Sequence, residues 1–158
     1  VILLVCGGAV LVGALGGARD PLQPLAGLRS GTAIAAQTPE VRFQRVRSVA
    51  ELDAAARASD RPVMLDFYAD WCVSCKEMER YTFTDPAVAS RMGRMLLLQA
   101  DVTENNEDDK ALLQRFELFG PPGIVFFRAG GEEISGTRVV GFMPAEQFAA
   151  VLDRNSGI

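Results

Sequence analysis

Two cysteines separated by two residues, in Trp71-Cys72-Val73-Ser74-Cys75, are the side chains of this sequence best suited to chemistry. On a helix, residues three apart share one face with Cβ atoms about 5–6 Å apart, which closes to disulfide geometry with little adjustment. Such a pair opens and closes without refolding. If Cys72 stands at the helix N-terminus, unpaired backbone N–H groups and roughly half a positive charge favour its thiolate. Cys72 is then the expected nucleophile, and Cys75, one turn inward, the resolving thiol.

The composition narrows the alternatives. Histidine is absent from the 158 residues, which removes the Cys–His and Ser–His–Asp nucleophile systems along with the commonest zinc ligand. Two cysteines do not supply the four ligands of a structural zinc site, so a redox-active pair is the better reading and no metal or organic cofactor is expected. A net charge of -4 without a Lys/Arg cluster argues against nucleic acid as a partner. The acidic run Glu104 to Lys110 lacks the glycine and alternating ligand spacing of a calcium loop, and reads as a solvated loop and acidic helix start.

Several elements must hold the cysteines in place. Pro62 to Ala69 is a nearly continuous apolar run, as expected of a central strand covered on both faces, and Asp66 is the acid inside it. A buried carboxylate is costly unless hydrogen-bonded or protonated, so Asp66 stands out as functional. A helix follows over Cys72 to Tyr81, with Glu79 four residues after Cys75 on the same face. Asp85 caps a second helix from Pro86 to Arg91, with proline at its first position. Met95 to Asp101 forms another buried strand and Asp108 to Leu118 another helix.

Ile124 to Phe127 and Arg138 to Val140 are expected to form a hairpin through Gly130-Gly131, before a last helix over Ala145 to Leu152. Upstream, Val41 to Val46 suggests a short strand and Val49 to Arg57 a helix capped by Ser48. Strands alternating with helices on a sheet covered on both faces make an α/β sandwich.

Ahead of this domain, assigned to 41–158, residues 19–40 mix Pro, Gly and small residues without a period and read as a flexible linker. Val1 to Ala18 carries no charge and is close to the lower length limit of a membrane-crossing helix. Lacking Met and a basic start, it reads as the remnant of a longer protein's last transmembrane helix rather than a signal peptide. Cys6 within it reads as a small apolar residue in lipid. Arg19 and Arg29, taken alone, lean towards the cytoplasm.

A strand with a buried acid, Trp71-Cys72-x-x-Cys75 and a distant Pro122 before another apolar strand together resemble the thioredoxin superfamily. The stretch Tyr68 to Glu77, its continuation Arg80 to Pro86, Leu97 to Thr103 and Val140 to Met143 make residues 60–153 similar to the C-terminal domains of the DsbD family of thiol:disulfide interchange proteins. The resemblance implies a thioredoxin-like three-layer sandwich, with a central mixed β-sheet and helices on both faces. It implies a protein-disulfide reductase at the bacterial inner membrane whose domain faces the periplasm, with a place in electron transport and cytochrome c biogenesis. Electrons would come from the protein's own membrane domain and pass to a periplasmic N-terminal domain as acceptor. The domain itself is expected to be monomeric and tethered to the membrane by its N-terminal segment.

Site roles follow from the same likeness. Asp66 would lie beneath the resolving cysteine and exchange a proton with it, and Glu79 would be a second acid, although an ordinary solvated glutamate is the alternative. Pro122 would be a cis-proline facing the cysteines. Family members use the residue before it for backbone hydrogen bonds to the bound partner, yet Pro121 has no N–H to offer. Trp71 is either core packing or a surface that greets the partner. Tyr81-Thr82-Phe83 is expected to pack a kinked helix onto the sheet.

The direction of electron flow follows from the acids. A thiolate pKa about 3 units below ambient pH would stabilise the reduced form by roughly 4 kcal/mol, about 90 mV for a two-electron couple. Asp66 and Glu79 oppose such stabilisation, so the chain is expected to be a reductant. A disulfide oxidant or isomerase, and a docking module whose disulfide is only structural, are the competing readings.

Overall fold

A computed structural model of the chain describes residues 41–155. The segment read as a transmembrane remnant, 1–18 with Cys6, and the one read as a linker, 19–40, lie outside the described residues. Among the described residues no helix is long and apolar enough to cross a membrane.

The chain runs β1 (Gln44–Arg45), α1 (Val49–Ala58), β2 (Val63–Tyr68), α2 (Val73–Glu77), a π-helical turn (Met78–Thr82), α3 (Pro86–Met92), β3 (Leu96–Asp101), α4 (Glu107–Arg115), β4 (Gly123–Phe127), β5 (Val139–Val140) and α5 (Ala145–Asn155). One sheet has the order β1-β3-β2-β4-β5, with β1, β3 and β2 parallel and β4 antiparallel to both its neighbours. The expected sandwich with a mixed central sheet is the fold adopted.

Alternation along the strands builds two cores. Leu65, Phe67, Leu98, Ala100, Val125 and Phe127 face α1 and α4, where Phe116 meets Phe67 and Phe127 edge-on, both at 5.9 Å between centroids. Met64, Leu97, Ile124 and Phe126 face α3, α5 and the π-helical turn, with Phe83 and Phe148 5.6 Å apart. Burial on both faces explains why β2 and β3 read as near-continuous apolar runs.

Local sequence sets the helix ends. The Ser48 side chain accepts from the Glu51 N–H, and Asp85 accepts from the Ala87 and Val88 N–H groups with Pro86 following it. In the acidic run, Asn106 caps α4 reciprocally with Asp109, and Glu107 and Asp108 sit in the positive first turn.

Three expectations need correction. β1 is only two residues long, although Val41 and Phe43 still pack on the second core. The cysteine-bearing helix changes its winding after Glu77: the Phe83 N–H reaches back five residues to the Met78 carbonyl at 2.9 Å. This π-turn buries Thr82 and Phe83 but leaves Tyr81 59% exposed, so only part of that segment packs. Third, the hairpin is broken. After Gly130 and Gly131, both at positive φ as the turn requires, the Ile134 N–H bonds to the Phe126 carbonyl. The returning limb then departs, with Gly136 also at positive φ, and pairs again only at Val139 and Val140. Arg138 is outside β5, its guanidinium donating to Glu133 and to the Phe116 carbonyl.

Candidate active site

Strand register brings distant segments to one end of the sheet. Tyr68 pairs with Asp101 and Phe67 with Gly123, while Gly123 pairs with Val140. The segments leaving β2 and β3, the one entering β4 and the one leaving β5 therefore share an edge. At this edge the Cys72 N–H donates to the Ala69 carbonyl at 3.0 Å, and Cys72 caps α2.

Cys72 and Cys75 are joined as a disulfide with Cα atoms 5.3 Å apart, and both residues are buried. Their surroundings differ. The Cys75 N–H donates to Cys72 Sγ at 3.1 Å, a contact that would also stabilise a thiolate there. Cys75 Sγ instead rests 3.8 Å from the Phe67 carbonyl oxygen, an acceptor for a Cys75 thiol once the bond is reduced. The outer sulfur thus has a donor aimed at it and the inner one an acceptor.

Asp66 precedes Phe67 on β2 and is 3% exposed. Gln99, its register partner on β3, donates from Nε2 to Asp66 Oδ2 at 3.1 Å. Burial pushes the Asp66 carboxyl up to about 7; the Gln99 hydrogen bond opposes the rise and the nearby Glu79 charge adds to it. Glu79 belongs to the π-helical turn. Partial burial raises its carboxyl above the ordinary range, while hydrogen bonding to the same Gln99 amide and the Lys76 charge pull the other way. Gln99 thus mediates between a buried acid and an outer one. Glu79 is exposed, as the solvated reading expects, while its charge acts on Asp66 and its carboxylate on Gln99.

Gln99 was not among the residues selected from sequence. The signal was available: it is the amide inside the apolar run Met95 to Ala100, as Asp66 is the acid inside its own strand.

The Pro121–Pro122 peptide is cis. Pro122 is buried, and its carbonyl accepts the Gly141 N–H at 3.0 Å. A Cβ on Gly123 would meet Leu118 Cδ1 at 2.7 Å, so this strand start packs too closely for another residue without Leu118 moving. Phe119 is fully exposed and Val140 is 70% exposed on the same edge. Trp71 is 60% exposed with its indole N–H donating to the Thr103 carbonyl at 3.2 Å, so the ring is not core packing.

The arrangement combines a reversible disulfide, a carboxyl able to hold or release a proton near neutrality, and an exposed apolar edge. It has the parts needed for thiol–disulfide exchange with another protein.

Comparison with known proteins agrees. A family model described as a thioredoxin-like domain matches residues 50–156. The thiol:disulfide interchange protein DsbD of Ralstonia nicotianae is 56% identical over 99% of this chain, and that of Pectobacterium atrosepticum is 48% identical over 98%. The chain spans about a quarter of the length of these relatives, 26% in each case. The reduced form of the Neisseria meningitidis DsbD C-terminal domain is similar in structure, with a TM-score of 0.57 and 41% identity, covering 66% of this chain and 90% of that one. With most of the chain matched by the family model and nearly all of a solved domain covered at this identity, the chain belongs to the thioredoxin-like family, among the C-terminal domains of DsbD proteins.

Proposed function

We propose that this chain is a protein-disulfide reductase that relays electrons by thiol–disulfide exchange, from a membrane-embedded cysteine pair to a periplasmic partner domain. The observation that carries the reading is the asymmetric Cys72–Cys75 pair, with a donor on the outer sulfur and an acceptor on the inner one. The names of the relatives support the chemistry, and their greater length supports donor and acceptor domains elsewhere in a longer protein. Attachment to the bacterial inner membrane with this domain in the periplasm is part of the same proposal. The redox-active disulfide itself serves in place of a cofactor.

In the reduced form, the Cys72 thiolate attacks one sulfur of the partner's disulfide. A Cys72–partner bond forms, and the partner's second sulfur leaves as a thiolate. Cys75 then loses its proton and attacks Cys72 Sγ, closing the Cys72–Cys75 bond and releasing the partner's first sulfur. Two electrons pass to the partner; one proton comes from Cys75, and a second, if both partner thiols are protonated, comes from solvent. Asp66, adjacent to the residue whose carbonyl touches Cys75, is assigned the proton from Cys75, and a carboxyl titrating at about 7 suits that transfer. Glu79 tunes Asp66 through their mutual repulsion. Trp71, Pro121 and Pro122 form the partner-binding edge, where Pro121 offers only its carbonyl as an acceptor.

Cys75→Ser should trap a mixed disulfide with the acceptor, identifiable by mass spectrometry of the periplasmic fraction, whereas Cys72→Ser should trap nothing. Capture of only unfolded secretory proteins would overturn the dedicated relay. A reduction potential clearly above about -200 mV would make the chain an oxidant instead.

A further inference from the structure

We propose that Thr103 is a positioning residue: it holds the Asp70–Trp71 segment as a preformed lip beside Cys72, and so lowers the cost of docking a partner protein. The inference rests on the exchange reading above and assigns a role to a residue that reading does not use.

Thr103 lies just beyond β3, at the edge where Asp101 pairs with Tyr68. Its hydroxyl oxygen accepts the Asp70 N–H at 2.9 Å, and its carbonyl accepts the Trp71 indole N–H at 3.2 Å. One residue thus grips both the backbone and the ring of the segment leading into Cys72. Thr103 is itself fixed, because its own N–H and hydroxyl both donate to Asp101 Oδ1. A threonine hydroxyl has one proton to give, and here it is given to Asp101 while the lone pairs face Asp70. The Tyr68 hydroxyl further holds Asp70 by donating to its Oδ1 at 3.1 Å.

These bonds matter because of what they restrain. Trp71 is 60% exposed and touches the solvent that a partner would displace. An exposed side chain ordinarily exchanges rotamers on the picosecond to nanosecond scale. Ordering it on association costs about 0.5–1.5 kcal/mol, which a lip ordered beforehand avoids. Val73, 71% exposed on the other side of Cys72, has no polar handle by which it could be held this way. The device therefore acts on Trp71 and leaves the sulfurs untouched.

The chain has a single tryptophan, so its fluorescence reports on this side chain alone. The test uses the full 158-residue chain, with insulin as the disulfide substrate and dithiothreitol as the electron source. Thr103→Val keeps the shape and the carbonyl that holds the indole, but removes both hydroxyl bonds, which tie the Asp70–Trp71 backbone to Thr103 and Thr103 to Asp101. It should raise KM for insulin about 3- to 10-fold, as expected for loss of a net hydrogen-bond contribution, with kcat changed less than about 2-fold. Indole anisotropy should fall in parallel, and Thr103→Ser should restore both quantities. An active wild type whose Thr103→Val variant keeps its KM and anisotropy overturns the inference and spares the exchange reading. A loss confined to kcat, or one that Thr103→Ser fails to rescue, also overturns it. A wild type that does not reduce insulin overturns the docking role as stated here, and the exchange reading falls with it only if Cys75→Ser also captures no disulfide-bearing partner.

Discussion

The edge that carries the disulfide has two unlike flanks. On the β3 side the contacts are polar and made by side chains: Arg45 to Asp101, Asp101 to Thr103, Thr103 to Asp70 and Trp71, and one turn of the strand inward, Gln99 to Asp66. On the β4–β5 side, backbone pairing of Gly123 with Val140 and the Gly141–Pro122 bond do the holding, and the side chains presented are Phe119 and Val140. Pro121 cannot add a donor there. The first flank fixes groups in place and governs a proton; the second offers apolar surface. Efficient exchange with a protein needs both, because the sulfurs are nearly covered and a partner must be seated before attack.

The largest effect expected on the polar flank is on stability. In the unfolded chain Asp66 ionises near its ordinary 3.8, whereas in the fold it keeps its proton up to about 7. The folded state thus binds the extra proton, so stability falls as pH rises between those values and then levels off. Asp66→Asn should remove that slope and stabilise the protein above neutrality by up to about 4 kcal/mol. Denaturant titrations of both proteins across this range provide the check; parallel curves would mean that the carboxyl titrates normally.

Gln99→Leu should act in the opposite direction. Loss of the amide removes the hydrogen bond that holds Asp66 down, so the carboxyl should titrate higher and the decline in stability should extend further into alkaline pH. The expected loss above pH 8 is about 1–3 kcal/mol, the cost of leaving a buried acceptor unpaired. The double variant Asp66→Asn, Gln99→Leu separates this from a packing defect: the loss should shrink once the carboxylate is gone.

The difference between the flanks also explains what the sequence revealed. Elements whose cause is local were legible: the Ser48 and Asp85 caps, Pro86 at a helix start, the two apolar runs, and Asp66 as an acid within one of them. The cysteine pair was legible because its partners are three residues apart. The β3-side network was not, because Gln99 meets Asp66 across 33 residues and Arg45 meets Asp101 across 56, and only strand register decides such meetings. A kink in the cysteine-bearing helix was expected, but its π-turn form after Glu77 and the interrupted return to β5 were missed for a related reason. Both are accommodations to packing and leave no period in the chain.

The apolar flank should show the reverse pattern of stability and binding. Phe119 is fully exposed, so Phe119→Ala should alter folding stability by no more than about 0.5 kcal/mol. If the flank is the contact surface, the same change should raise KM for a protein disulfide about 10-fold, in line with an aromatic anchor. An unchanged KM would transfer the contact role to Trp71 and the polar side.

The smallest effect belongs to the outer end of the polar flank. Arg45 reaches Asp101 at 2.7 Å, but the arginine side chain is 60% exposed against 21% for the aspartate. Burial alone would raise the Asp101 carboxyl, and the hydrogen bonds from Thr103 together with Arg45 hold it below the usual range instead. A solvent-facing ion pair contributes about 0–1 kcal/mol and is screened by salt. Arg45→Ala should therefore cost no more than that, with the loss vanishing at high ionic strength and KM changing less than about 2-fold, because Thr103 keeps its own bonds to Asp101. If Arg45→Ala instead raises KM as much as Thr103→Val, the grip on Trp71 originates at the surface ion pair, and the polar flank works as one charged network rather than as a chain of local hydrogen bonds.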